Sequence, residues 1–150
     1  ATGEINLISV KIYNMNNEET SSIISGEKLK IIFEISSNRE LLDPHYGIII
    51  RNHLGLSVYE SNTRILGVKT YPLSINRPSK IITIWKLPLF PGDYSISLGV
   101  ANGGTGNNFE EYLFNMYDII ILKILQKEPC PTYAGIVNLQ PEIIVESIIN

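Results

Sequence analysis

Lys28-Leu29-Lys30-Ile31-Ile32-Phe33-Glu34-Ile35 is the stretch that decides the fold. Leu29, Ile31, Phe33 and Ile35 fall on one side of an extended chain, and Lys28, Lys30 and Glu34 on the other. That period of two marks a strand with one face in a core and one in water. Ser25-Gly26-Glu27 turns into it. Upstream, Ile8-Ser9-Val10-Lys11-Ile12 repeats the pattern, separated by a polar, Asn-rich loop over 14–22. Downstream, residues 46–52 are apolar on both faces through Ile48-Ile49-Ile50, as in a central strand covered on its outer side or one that joins an interface. Leu54-Gly55 is a tight turn, and residues 56–60 return as a hairpin partner.

A long connection over 61–79 leads to a strand at 80–87, with Ile82 and Ile84 on one side and Ile81, Thr83 and Trp85 on the other. Pro91-Gly92-Asp93 is a turn, with Pro and Gly at its two corners. Beyond it Tyr94, Ile96, Leu98 and Val100 alternate with Ser95, Ser97, Gly99 and Ala101, so one face is core-directed and the other entirely small. A Gly/Asn loop over 102–108 precedes two more strands, 109–116 and 117–125. Short alternating runs broken about every ten residues indicate an all-β sandwich or barrel rather than βαβ units. The chain has 26 Ile against three Ala, a balance that suits pleated sheets and not helices.

The 150 residues carry 12 basic and 15 acidic side chains, a net charge of −3 and a pI near 5.4. Such a chain has no basic footprint for a phosphate backbone, so no nucleic-acid partner is expected. Cys130 is alone, which excludes an internal disulfide and a cysteine-framed zinc site. No apolar run approaches the roughly 20 residues that span a bilayer. No signal peptide is expected, and no Asn-x-Ser/Thr acceptor occurs in the sequence. The chain opens Ala-Thr-Gly without Met and is expected to be a piece of something longer. Residues 1–126 are expected to form one sandwich, 127–132 a hinge bearing Pro129 and Pro131, and 133–150 an apolar tail. That tail either folds back as an edge strand or pairs with another copy of the chain.

Catalytic patterns do not assemble. His45 and His53 supply at most two ligands, fewer than a zinc or iron site needs. Asp43-Pro44-His45 is first a turn. Cys130 sits between prolines without a nearby His, and no Gly-x-Ser-x-Gly elbow occurs. Gly103-Gly104-Thr105-Gly106 lacks the Lys-Ser/Thr of a phosphate loop. Glu18-Glu19 and Glu110-Glu111 are sequence neighbours, not a pair opposed across a bond. The expectation is therefore no enzyme, no metal and no cofactor. Eight Tyr and one Trp beside many Asn form a binding inventory, because aromatic faces stack on the C–H face of a sugar while amides address its hydroxyls.

Three stretches resemble a known family. Asp43-Pro44-His45-Tyr46-Gly47-Ile48-Ile49-Ile50-Arg51-Asn52, then Gly55, then Val58-Tyr59-Glu60-Ser61-Asn62-Thr63 form the first. Leu87-Pro88-Leu89-Phe90-Pro91-Gly92-Asp93-Tyr94 through Ser97-Leu98-Gly99-Val100 form the second, and Gly3-Glu4-Ile5 with Gly26-Glu27 the opening. Together they resemble the carbohydrate-binding C-terminal domain of Wzt-type ATP-binding subunits, found in ABC exporters of O-antigen polysaccharide. The chain departs from that pattern at Tyr46, where Phe is frequent, and at Glu60-Ser61, where Gly or Thr is common. The resemblance implies an immunoglobulin-like antiparallel β-sandwich at the cytoplasmic face of the inner membrane. It would recognise the non-reducing, often modified, terminus of a lipid-linked glycan before export. It also implies a homodimer that exchanges a C-terminal strand, and membrane-embedded transporter subunits reached through a separate ATPase domain.

The expected sugar site is a trough on the outer face of the sheet that holds the strands near 46–52, 56–60, 94–101 and 109–116. Ser95, Ser97, Gly99 and Ala101 would form its floor, and His45, Ile49 and Arg51 one wall. Tyr59 and Ser61 would form the other wall, while Asn62, Asn102 and Tyr112 close the ends. The competing readings cover this face with the tail or a partner, or make the chain an immunoglobulin-like dimerisation domain with no ligand of its own. Ile48-Ile49-Ile50, Ile143-Ile144 and Ile148-Ile149 carry more apolar surface than one sandwich needs, which also points to a dimer.

Overall fold

A computed structural model describes residues 3–105, 108–130 and 132–148. Gly106 of the glycine loop, Pro131 of the hinge and Ile149 of the tail lie outside the described residues. Eight strands form two sheets: β1 (Ile5–Asn14), β2 (Ser22–Ile24), β3 (Lys28–Ser37), β4 (Pro44–Arg51), β5 (Ser57–Asn62), β6 (Ser79–Lys86), β7 (Gly92–Asn102) and β8 (Glu111–Leu125). One sheet has the order β1-β3-β6 and the other β2-β8-β7-β4-β5. All pairings are antiparallel except β2 with β8. The central hairpin-and-crossover order β8-β7-β4-β5 is that of the larger sheet of an immunoglobulin-like sandwich.

The alternation in β3 predicts its burial faithfully. Leu29, Ile31, Phe33 and Ile35 are wholly buried and meet Tyr46 and Ile50 of β4, Tyr94, Ile96, Leu98 and Val100 of β7, and Leu122 and Ile124 of β8 in one cluster. Ile82 and Ile84 of β6 face solvent instead. Leu41 and Leu73 exchange both backbone hydrogen bonds, 2.8 and 2.9 Å, and tie the long connection after β5 to the β3–β4 turn. Asparagines build the bends: the Oδ1 of Asn14 accepts from the N–H of Asn16 and Glu18, and that of Asn52 from Leu54 and Leu56.

Two expectations change. Residues 109–116 and 117–125 are not separate strands; Glu111–Leu125 runs as one. The apparent break is a bulge at Asp118, whose φ is 53° and whose N–H donates to Ser97 Oγ at 2.9 Å. The short β2 was hidden inside the loop and turn around residue 22. The tail meets the body of this copy where Val137 bridges Leu89, with Phe90 N–H donating to Ile136 O and Asn138 N–H to Pro88 O, both at 2.8 Å. Beyond it Ile143, Ile144, Val145 and Ile148 are exposed, Ile148 at 96%.

Tyr94 turns the chain after Pro91-Gly92: its hydroxyl donates to Phe90 O, four residues back, at 2.6 Å. Such a tyrosine corner locks the crossing between sheets. Tyr94→Phe is expected to lose about 1–1.5 kcal/mol in urea unfolding without changing the circular dichroism of the native state. Tyr46 gives a pH signature. Burial pushes its hydroxyl up to about 12, slightly offset by Ser79. The folded state then holds a proton that the unfolded state releases near pH 10, so stability falls as pH rises between the two values. About 2 kcal/mol is expected to be lost at pH 11.5 relative to pH 9 through this group, a difference absent in Tyr46→Phe.

Candidate functional site

The register of the five-stranded sheet builds a concavity on its outer face. Along β4 and β7, His45 lies opposite Ala101, Gly47 opposite Gly99, Ile49 opposite Ser97 and Arg51 opposite Ser95. On β8, Tyr112 lies opposite Ala101 and Asn115 opposite Gly99; on β5, Asn62 lies opposite Gly47 and Glu60 opposite Ile49. Directly opposed residues of an antiparallel pair share a face. The paired glycines lower the middle of the sheet, and larger side chains rise on either side. The result is an open cavity of about 350 Å³ with floor residues Gly47, Ile49, Gly99 and Ala101.

One end is fixed by a polar clamp. His45 Nδ1 lies 2.9 Å from Thr63 Oγ1 and Nε2 lies 3.1 Å from Asp43 Oδ1, while Thr63 Oγ1 also accepts Tyr46 N–H at 3.0 Å. An Nε2–H tautomer satisfies all of these partners. Arg64 donates to Gly103 O at 2.5 Å and Gly104 O at 3.1 Å, approaches Asp43 at 3.4 Å, and stacks its guanidinium over the Phe109 ring at 5.0 Å. Phe109 in turn meets Tyr112 edge-on, with ring centroids 5.6 Å apart. Behind them Asn102 Oδ1 accepts Asp43 N–H, and its amide donates to Glu111. Arg39 and Asn102 hold the Glu111 carboxyl below its ordinary range. At the far end Arg51 sits 4.7 Å above the Tyr117 ring.

The structure sorts the residues expected from the sequence. His45, Asn62 and Tyr112 line the trough, Tyr112 at 67% exposure. Arg51 and Ser95 lie beyond it, at the far end of the same face. Ser97 is on that face but buried, its hydroxyl taken by Asp118. Asn102 acts from behind the clamp.

Tyr59 is corrected, and Ser61 lines the trough by its backbone rather than by its side chain. The turn sets Arg51 opposite Ser57, a register that would put Tyr59 and Ser61 on the trough face. A bulge at Val58 then shifts the pairing to Ile50 with Tyr59 and Ile48 with Ser61. One extra residue reverses the strand, so Glu60 and Asn62 face the trough. Ser61 keeps only a place at the rim, its carbonyl 3.6 Å from where a Gly47 Cβ would sit. Tyr59 instead meets Trp85 edge-on, centroids 6.0 Å apart, in a cleft of about 470 Å³ between the free edges of β5 and β6. Glu60, Phe109, Asn115 and Arg64 were missed. Phe109, a lone aromatic closing a Gly/Asn loop, was the one available signal.

Among the described residues, no group of three or more His, Cys, Asp or Glu is placed to hold a metal ion. No helix is long and apolar enough to cross a membrane, which says nothing of strands.

Two sheets in this order, a tyrosine corner and a small-floored trough define an immunoglobulin-like β-sandwich domain. The model of the Wzt C-terminal domain family matches residues 1–139, and the chain belongs to that family. Among solved structures, the crystal structure of the C-terminal domain of Wzt superposes with a TM-score of 0.82 at 19% identity, covering 96% of this chain and 85% of that one. A Niemann-Pick type C2 protein from Japanese carpenter ant superposes with a TM-score of 0.57 at 13% identity, covering 83% and 96%. At these identities the likeness is one of fold. No curated protein matches the chain.

Proposed function

We propose that this domain is a non-catalytic carbohydrate-binding module, working without a cofactor. It recognises the non-reducing, modified terminus of a lipid-linked O-antigen polysaccharide and licenses export by an ABC transporter. The observation that carries the reading is the trough: a floor of Gly47, Gly99 and Ala101 between the Tyr112 and Phe109 rings and the amides of Asn62 and Asn115. Rings present a face for sugar C–H groups, and amides present donors and acceptors for hydroxyls. The clamp at one end favours a chain end over a chain that passes through. In this reading the domain acts at the cytoplasmic face of the inner membrane, tied to the membrane-embedded subunits through a separate ATPase domain. Oligosaccharides released from the matching O-antigen should titrate amides of β4 and β7 in NMR spectra. Tyr112→Ala should weaken that binding about tenfold with unchanged thermal unfolding, since its ring is exposed and leaves no buried cavity. Unchanged affinity in that variant would count against the site.

The exposed tail favours a second feature. Residues 133–150, beyond the hinge at 127–132, are proposed to exchange between two protomers, burying Ile143, Ile144 and Val145 that this copy leaves in solvent. A dimer by light scattering that becomes a folded monomer on deletion of 133–150 supports it. The same result with no glycan binding anywhere would instead favour a dimerisation domain without a ligand.

A further inference from the structure

The charge and polarity around the trough limit which sugar it can take. We infer that the trough selects an uncharged terminal sugar carrying an apolar substituent, such as a deoxy or O-methyl group, and discriminates against phosphate and uronate termini. The inference rests on the glycan-binding reading and narrows it.

No Lys or Arg is among the residues that line the cavity, whereas Glu60 is. Its carboxylate rises from the β5 wall, opposite Ile49, with Ser57 Oγ donating to it at 3.3 Å. An anionic ligand therefore meets a like charge and no counter-ion. The guanidiniums of Arg64 and Arg51 lie outside the lining. Arg64 is spent on the carbonyls of Gly103 and Gly104, on Asp43 and on the Phe109 ring. Arg51 lies at the far end, over Tyr117. His45 offers no substitute, because Thr63 and Asp43 occupy both ring nitrogens. Phosphate and carboxylate recognition relies on charged donors, and this lining has none, its donors being the neutral amides of Asn62 and Asn115.

What the cavity does provide suits a neutral, partly apolar ring. Ile49, Ile65, Ala101 and the Phe109 and Tyr112 rings form a C–H-rich surface on which hydroxyls would lose their water without a partner, while a methyl group would not. Polar capacity is confined to the walls. Glu60 accepts from sugar hydroxyls, and Asn62 spends its Oδ1 on Ile65 N–H at 2.9 Å, which leaves its amide hydrogens for a ring or hydroxyl oxygen. A carboxylate that accepts from a neutral sugar and repels an anionic one makes Glu60 a specificity-determining residue.

The test uses the 150-residue chain and four commercially available probes: the methyl glycosides of a 6-deoxyhexose, of the corresponding hexose and of the corresponding hexuronic acid, and hexose 6-phosphate as a second anion. Amide shifts of Gly47, Gly99 and Ala101 report trough binding. The 6-deoxyhexoside should bind most tightly, the hexoside several-fold less, and both anions at least tenfold less. Glu60→Gln should narrow the gap between hexoside and hexuronate, chiefly by tightening the anion. Anions that bind the trough as tightly as the neutral probes overturn this inference and leave the glycan-binding reading standing. An unchanged gap in Glu60→Gln overturns the role of that carboxylate. Absence of trough shifts with every probe and with the O-antigen oligosaccharide overturns both.

Discussion

Phe33→Ala is expected to lower the unfolding free energy by about 3–5 kcal/mol, roughly a fifth or more of the 5–15 kcal/mol that a domain ordinarily possesses. Phe33 is wholly buried at the middle of β3, between Val10 of β1 and Ile81 of β6, with its ring against the opposite sheet's core. Removing it opens a cavity whose walls are themselves held by backbone pairing on both sides, so the site cannot collapse to fill it. A melting temperature lower by roughly 6–20 °C is the corresponding thermal result. Ile82→Ala provides the control, since Ile82 sits on the neighbouring strand with 55% of its surface in water. That change should cost less than about 1 kcal/mol in the same urea titration. Equal losses in the two variants would mean that the faces of the three-stranded sheet are assigned wrongly.

Gly47→Leu is expected to abolish sugar binding, by about a hundredfold or more, while leaving the fold intact. The position allows a side chain: a Cβ there would find its nearest neighbours, Ser61 O and Asn62 Cβ, at 3.6 and 3.7 Å, ordinary contact distances, and its backbone is not in the left-handed region. A leucine then stands in the middle of the trough, where the floor is lowest. Stability should move by less than about 1 kcal/mol, because removing a glycine from the middle of a strand offsets the newly exposed apolar surface. Gly99 is a poorer choice for the same purpose, since its Cβ would press on Asn115 Oδ1 at 3.1 Å. Binding by Gly47→Leu at the level of the unaltered chain would remove the trough from consideration.

The alternation of residues carries most of the sandwich. Leu29 to Ile35 and Tyr94 to Val100 show their buried faces directly, and the small residues between Tyr94 and Val100 mark the low floor of the trough. What is not legible depends on contacts made far along the chain. The three residues of β2 have no pattern of their own and become a strand because Ser22 to Ile24 find Lys123 to Leu125. The continuity of β8 is hidden by Asp118, whose irregular backbone is satisfied by Ser97, a residue 21 positions away. At Val58 a single bulged residue exchanges Tyr59 and Ser61 for Glu60 and Asn62 on the trough side, and nothing in the local pattern announces it. Arg64 reads as a loop cation in sequence; only the folded chain shows it fastening Gly103, Gly104 and Phe109 together.

The parallel pairing of β2 with β8 has a consequence for the order in which the domain is made. Ser22 is joined to Lys123, so roughly a hundred residues must be synthesised before the first of these strands finds its only sheet neighbour. Leu122 and Ile124, two wholly or nearly wholly buried members of the core, arrive in the same segment. A nascent chain halted before residue 111 leaves β7 with a bare edge and the hydrophobic interior without its last wall. The domain is therefore expected to remain protease-sensitive on the ribosome until its last strand has cleared the exit tunnel, and to acquire its fold in one late, cooperative step.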